Sequence, residues 1–121
     1  MFGEMNFHQL GLNPSNLPEY TVREANGTPG YVPIPTKLEG PNVPKFKFIA
    51  AGFDHSLGLA VDGSAYTWGF GETYQLGHGK PAGEESPEDE EVPTKIENTA
   101  TRGVVMVFAG AGGQFSVLAG L

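Results

Sequence analysis

The sequence predicts an all-β repeat array of the propeller type, and three observations lead there. First, three motifs recur in the same order. Phe2-Gly3 with His8-Gln9-Leu10-Gly11 returns as Trp68-Gly69 with Tyr74-Gln75-Leu76-Gly77. Pro35-Thr36-Lys37-Leu38 returns as Pro93-Thr94-Lys95-Ile96, and Ala51-Gly52 with Ser56-Leu57 returns as Ala111-Gly112 with Ser116-Val117. A period of roughly 60 residues belongs to units that cannot bury an apolar face without a neighbour. Second, Ser56 to Val61 alternates small residues with Leu57, Leu59 and Val61, and Asp62-Gly63 joins it to Ser64-Ala65-Tyr66-Thr67-Trp68. Asp-Gly between alternating runs is a hairpin signal, here expected as a type I′ turn. Third, 18 Gly and 10 Pro among 121 residues, with 39% hydrophobic, suit a turn-rich β protein.

Taken in order, residues 1–12 form the end of one repeat, and 13–45 a loop insertion and linker rich in Pro, Asn and Gly. Residues 46–95 form a complete repeat and 96–121 the start of a terminal one. Strands are expected near 46–51, 56–61, 64–69, 104–109 and 114–119, with no helix longer than about two turns. Two copies are too few to close a ring, so the chain is expected to be a fragment of a longer repeat protein or to need partner strands. Asn26-Gly27-Thr28 fits a glycosylation sequon, but without a secretory leader it is treated as a chance match.

Composition removes several functions. Without Cys there are no disulfides or thiolate metal sites, and His8, His55 and His78 are too dispersed for a ligand cluster. No apolar run reaches the ~20 residues that span a membrane. The net charge of −7 comes mostly from Glu84, Glu85, Glu88, Asp89, Glu90 and Glu91. Segment 79–91 has the composition of a solvated loop; the alternative is an acidic docking tract for a basic partner. Direct nucleic-acid binding by this segment is not expected, because phosphate neutralisation needs clustered Lys and Arg.

The candidate catalytic patterns fail on geometry. Asp54, His55 and Ser56 are consecutive, so they alternate faces of a strand and do not converge as a triad. Gly110-Ala111-Gly112-Gly113-Gln114 lacks the Lys-Ser/Thr ending of a phosphate loop and leads into a strand rather than a helix. Its glycines suit a tight turn and close backbone approach. No catalytic residue, cofactor or metal is expected. His55 is either a structural histidine bonding a neighbouring carbonyl or a contact residue beside Asp54. Phe46, Phe48, Tyr66 and Trp68 are expected to pack between blades.

The complete unit reads Ala51-Gly52, His55-Ser56-Leu57, Asp62-Gly63, Tyr66-Thr67-Trp68-Gly69, Gln75-Leu76-Gly77 and Val92-Pro93-Thr94. In order and spacing it resembles the repeats of the regulator of chromosome condensation family. The stretch from Trp68 to Gly77, with Ile96-Glu97-Asn98 and Gly112-Gly113-Gln114, resembles the family's last repeat and terminal hairpin. The resemblance implies a partial seven-bladed β-propeller, about two blades, each a four-stranded antiparallel sheet. It implies the C-terminal part of a guanine-nucleotide exchange factor for a Ran-type small GTPase, a regulator without covalent chemistry. It further implies a nuclear location, and histone or chromatin contacts through other parts of a full-length protein. Partner-binding roles fall on Asp54, His55, Gln114 and Phe115; at the last the family frequently has His on the face that meets the GTPase. The alternative is a non-catalytic scaffold built from the same repeats, since fold does not fix function.

Overall fold

The computed structural model describes residues 1, 3–4, 9–34, 36–38, 43–72, 74–80, 82–97 and 101–121. The sequence expectations that involve Phe2, His8, Pro35 and Asn98 lie outside the described residues.

Every regular element among the described residues is a strand: β1 (Gly3–Glu4), β2 (Val22–Arg23), β3 (Pro29–Val32), β4 (Phe46–Ala51), β5 (His55–Ala60), β6 (Ala65–Gly69), β7 (Glu90–Lys95), β8 (Met106–Gly112) and β9 (Phe115–Gly120). They form a three-stranded sheet in the order β1-β3-β2, a four-stranded sheet β4-β5-β6-β7 and a hairpin β8-β9, all antiparallel.

The alternation in β5 explains the central sheet. Gly58 pairs with Tyr66 and Ser56 with Trp68, so the small residues share a face with the aromatics of β6. Phe46 fills the space over Gly58, and its ring centroid lies 5.8 Å from Tyr66 and 5.6 Å from Trp68. A side chain at Gly58 would collide with the Phe46 ring. Leu57 and Leu59 point the other way and join Ala65, Ile96, Met106 and Ala109 in a core shared with the β8-β9 hairpin. A second, smaller core of Leu10, Leu12 and Val32 serves the first sheet. Both faces of the sheet are therefore covered at its centre, and β5 is buried along its whole length while the edge strand β4 stays half-exposed.

Four features differ from the sequence reading. The Asp62-Gly63 turn is not type I′, because only Gly63 has positive φ (89°). Gly63 N–H donates to Ala60 O and Ala60 N–H to Ser64 O, which makes a three-residue loop with Gly63 in the left-handed position of a bulge. Segment 13–45 is not loop throughout: β2 and β3 pair within it through Glu24 N–H to Thr28 O and Gly27 N–H to Glu24 O, the same turn chemistry. Segment 79–91 is not a solvated loop throughout: 79–80, 82–86, Glu88 and Glu91 are exposed, but the stretch is anchored between them. Pro87 is buried, Asp89 accepts the Gly71 N–H at 2.8 Å, and Glu90 opens β7. Finally, Phe48 reaches Phe108 of the neighbouring hairpin, with centroids 6.4 Å apart and planes tilted by 40°, but it is only half enclosed, at 46% exposure.

Candidate functional site

Two equivalent connections meet on one rim. Gly52–Asp54 joins β4 to β5, and Gly113–Gln114 joins β8 to β9. Phe53 N–H donates to Gly113 O at 3.1 Å, directly linking the two turns. His55 adds side-chain bonds: its Nε2 lies 3.1 Å from Phe115 O and 2.9 Å from Ser116 Oγ. A carbonyl can only accept, so Nε2 carries the proton and Nδ1 is the bare nitrogen. Nδ1 is buried, has no hydrogen-bond partner and faces Gly52, where a Cβ would collide with the ring. Burial holds the His55 pKa below its ordinary value, with the Phe115 carbonyl and the Asp54 charge pulling weakly upward.

The rim is tied on its other side as well. Ser56 Oγ donates to Gln9 O at 2.7 Å, and Phe70 N–H donates to Asp54 O at 2.8 Å. Gly69 has φ 105° and lies so close to Asp54 O that a Cβ would not fit. Below β6, the buried Thr67 hydroxyl donates to Leu76 O at 2.6 Å and meets His78 Nε2 at 2.8 Å, fixing the turn that carries Tyr74.

Of the four sequence candidates, the structure gathers all at this rim but in different states. Gln114 and Phe115 are exposed, Phe115 by 60%. Asp54 is half-buried, and His55, at 1% exposure, is enclosed by the adjoining hairpin. Two exposed aromatics escaped the sequence reading. Phe53 is 81% exposed beside Asp54. Tyr74 is 56% exposed with φ 66°, the only described non-glycine residue at positive φ. Tyr74, Gln114 and Phe115 border a groove of about 330 Å³ floored by Leu76, Ile96 and Leu118. The sequence from Gly69 to Gly77 gives no sign of the Tyr74 conformation, but Phe53 is legible as a large residue in a hairpin connection.

The His55–Ser116 distance resembles a base–nucleophile pair, yet the chemistry does not follow. Nε2–H points at an acceptor carbonyl, so it has no lone pair for the serine proton, and no carboxylate orients Nδ1. Ser56 turns away to Gln9. Among the described residues no three His, Asp or Glu side chains converge as a metal site. Likewise, no helix is long and apolar enough to cross a membrane. What the rim offers is a surface: exposed aromatic rings and amides over a hydrogen-bonded seam.

Comparison with known proteins agrees with this architecture. The sequence profile of the regulator of chromosome condensation (RCC1) repeat matches residues 62–118, and a second profile of the same repeat matches 46–75. The guanine nucleotide exchange factor SRM1 of Saccharomyces cerevisiae is 48% identical over 119 residues, 98% of this chain and 23% of its own length. Protein pim1 of Schizosaccharomyces pombe is 36% identical over 99% of this chain and 21% of its own. The crystal structure of Prp20p from Saccharomyces cerevisiae, described with its binding properties to Gsp1p and histones, superposes with a TM-score of 0.89. It is 48% identical and covers 99% of this chain and 26% of that one. The chain belongs to the regulator of chromosome condensation repeat family, and its sheets are blades of that β-propeller. It spans about a quarter of the length of the relatives it matches.

Proposed function

We propose that this chain forms part of the docking face of a nuclear guanine-nucleotide exchange factor for a Ran-type small GTPase. The observation that carries the reading is the 48% identity to an exchange factor over nearly the whole chain, together with the exposed Phe53, Gln114 and Phe115 on one hydrogen-bonded rim. Asp54 stands at its edge as a half-buried carboxylate able to meet a polar or basic group.

The mechanism is thermodynamic coupling without a covalent step. A face that binds the nucleotide-free GTPase more tightly than the loaded one must, by reciprocity, loosen the nucleotide. Each ~1.4 kcal/mol of differential affinity is a tenfold effect. Rigid rims serve this purpose because little order has to be acquired on docking. Histone contacts, of the kind named for Prp20p, fall in this reading on other parts of a whole protein.

The test is a chimaera in which this chain replaces its 48% identical counterpart in yeast Prp20p. Release of a fluorescent nucleotide from a Ran-type GTPase should be restored, and Phe115→Ala should raise KM several-fold without unfolding the protein. A folded chimaera that binds the GTPase no better than a propeller lacking this segment overturns the reading and favours a scaffold.

A further inference from the structure

We infer that His55 is a positioning residue for the docking rim: it sets Phe115 and Gln114 from the neighbouring hairpin and does not itself touch the partner. The inference rests on the docking reading above.

The repeat supplies the first argument. His55 and Phe115 occupy equivalent positions, each with a ring lying over the glycine three residues earlier, Gly52 and Gly112. Their outcomes are opposite. His55 is enclosed at 1% exposure, while Phe115 is 60% exposed. The enclosed ring spends its only N–H on the Phe115 carbonyl and the Ser116 hydroxyl. One repeat's ring therefore fixes the backbone of the residue that the next repeat presents to solvent.

Beyond the β8-β9 ladder itself, few described bonds reach that turn from the neighbouring blade. Across the seam, the described ties from the β4-β5 connection to 113–116 are the two His55 contacts and the Phe53 N–H to Gly113 O bond. Both partners of the backbone bond lie in hairpin turns, and Gly113 has no side chain to restrict it. Without the imidazole, the Phe115 carbonyl and Ser116 hydroxyl lose that donor, and the β8-β9 pairing of Gly112 with Phe115 and the Phe53–Gly113 bond are left to set the Phe115 ring on the rim. A partner that reads Phe115 would then have to order it on binding, which lowers affinity without any lost contact.

Substitution at His55 separates position from bulk. His55→Leu keeps an apolar side chain beside Gly52 but removes the donor. His55→Gln brings an amide N–H to about the reach of Nε2, with the same acceptors available. A role in filling space favours the leucine; a role in holding the Phe115 carbonyl favours the glutamine.

Two measurements test the inference. Hydrogen exchange on the full chain should show His55→Leu accelerating amides of 114–117 about tenfold relative to those of β6, with His55→Gln close to the native rate. In the chimaera, His55→Leu should raise KM by about the factor that Phe115→Ala does, and the double variant should add little to either. Ser116→Ala, which removes one acceptor and leaves the carbonyl, should give a smaller effect of the same kind. Exchange that is unchanged, or that rises equally in β6, overturns the positioning role whatever KM does. Selective loosening of 114–117 with KM unmoved by both His55→Leu and Phe115→Ala overturns the docking reading, and with it any functional consequence of His55. A KM effect of His55→Leu fully additive with Phe115→Ala means His55 touches the partner itself, contrary to the inference.

Discussion

The Trp68 indole packs against Gly11 of the preceding repeat so closely that a Cβ at Gly11 would stand 2.7 Å from Nε1 and 2.9 Å from Cδ1. Gly11 also has φ +71°, a conformation that costs an L side chain roughly 1–2 kcal/mol. Trp68 is fully buried, and its N–H finds no acceptor, so packing rather than a hydrogen bond holds the ring in place. Trp68→Ala should destabilise by about 3–5 kcal/mol and Gly11→Ala by about 2–3 kcal/mol, through lost packing and overpacking respectively. Once the ring is gone the extra methyl has room, so the double variant should cost clearly less than the sum. Urea midpoints of the four proteins in the chimaera decide it; strict additivity would show that the two residues do not share this contact.

The fold was legible where period-2 patterning is strong. The β4, β5 and β6 strands fall within a residue of their expected bounds, because Asp-Gly and the alternating small and large residues leave one register that buries the leucines. The β2-β3 hairpin was missed although Asn26-Gly27 carries the same signal as Asp62-Gly63. Its side chain even makes the matching bond, Asn26 Oδ1 accepting from Thr28 N–H as Asp62 Oδ1 does from Ser64 N–H. With only Val22-Arg23 before the turn, alternation is too short to register. The β7 strand was hidden by Glu90, Glu91 and Pro93, residues that suit an edge strand and are otherwise loop formers. For the rim, motif spacing brought Asp54, His55, Gln114 and Phe115 together. It could not say that one of two equivalent rings is enclosed and the other exposed, since that depends on which hairpin lies alongside.

Acidification should weaken the fold near the histidine range. His55 and His78 both have folded pKa values lowered from 6.5, chiefly by burial, with Glu90 and Asp54 opposing weakly. The unfolded chain therefore takes up protons that the folded chain refuses. Their contribution to stability is full above the unfolded pKa and falls as pH drops below about 6.5. Urea midpoints measured between about pH 8 and pH 5 should be flat at the top and decline below that point, and His55→Gln should reduce the slope. A midpoint that rises on acidification over this range contradicts the buried neutral state of both rings.

The acidic segment should divide into a dispensable and an anchoring half. Residues 82–86 are exposed, whereas Pro87 is buried and Asp89 accepts the Gly71 N–H at 2.8 Å. Gly71 is itself pressed against the Glu88 backbone, with no space for a Cβ. Deleting 82–86 should shift the thermal midpoint by less than the error of most measurements, while Asp89→Ala should cost about 1 kcal/mol through the lost bond. If the deletion instead lowers GTPase affinity, and does so more at low salt, the segment is a docking tract and not a solvated loop.

The 121-residue chain by itself should self-associate and fail to stimulate nucleotide release. Among the described residues strand β9 pairs only with β8, so its outer edge carries open backbone donors and acceptors; it exposes Phe115 and Val117, and Leu121 is exposed just beyond it. The inner strand β8 adds exposed Val107 and Phe108 on the same hairpin. An apolar, unpaired strand edge recruits other chains unless it is covered. One rim with two exposed aromatics also falls short of the area, about 800 Å² per partner, over which stable protein–protein docking is usually spread. Light scattering after size exclusion should therefore show dimers or larger species whose proportion rises with concentration, and Val117→Lys should shift them toward monomer. Release of labelled nucleotide from a Ran-type GTPase should stay at its spontaneous rate. A monodisperse monomer that accelerates release well above that rate would mean that the exchange surface lies wholly within these blades, and that the edge of β9 is closed by something other than a partner strand.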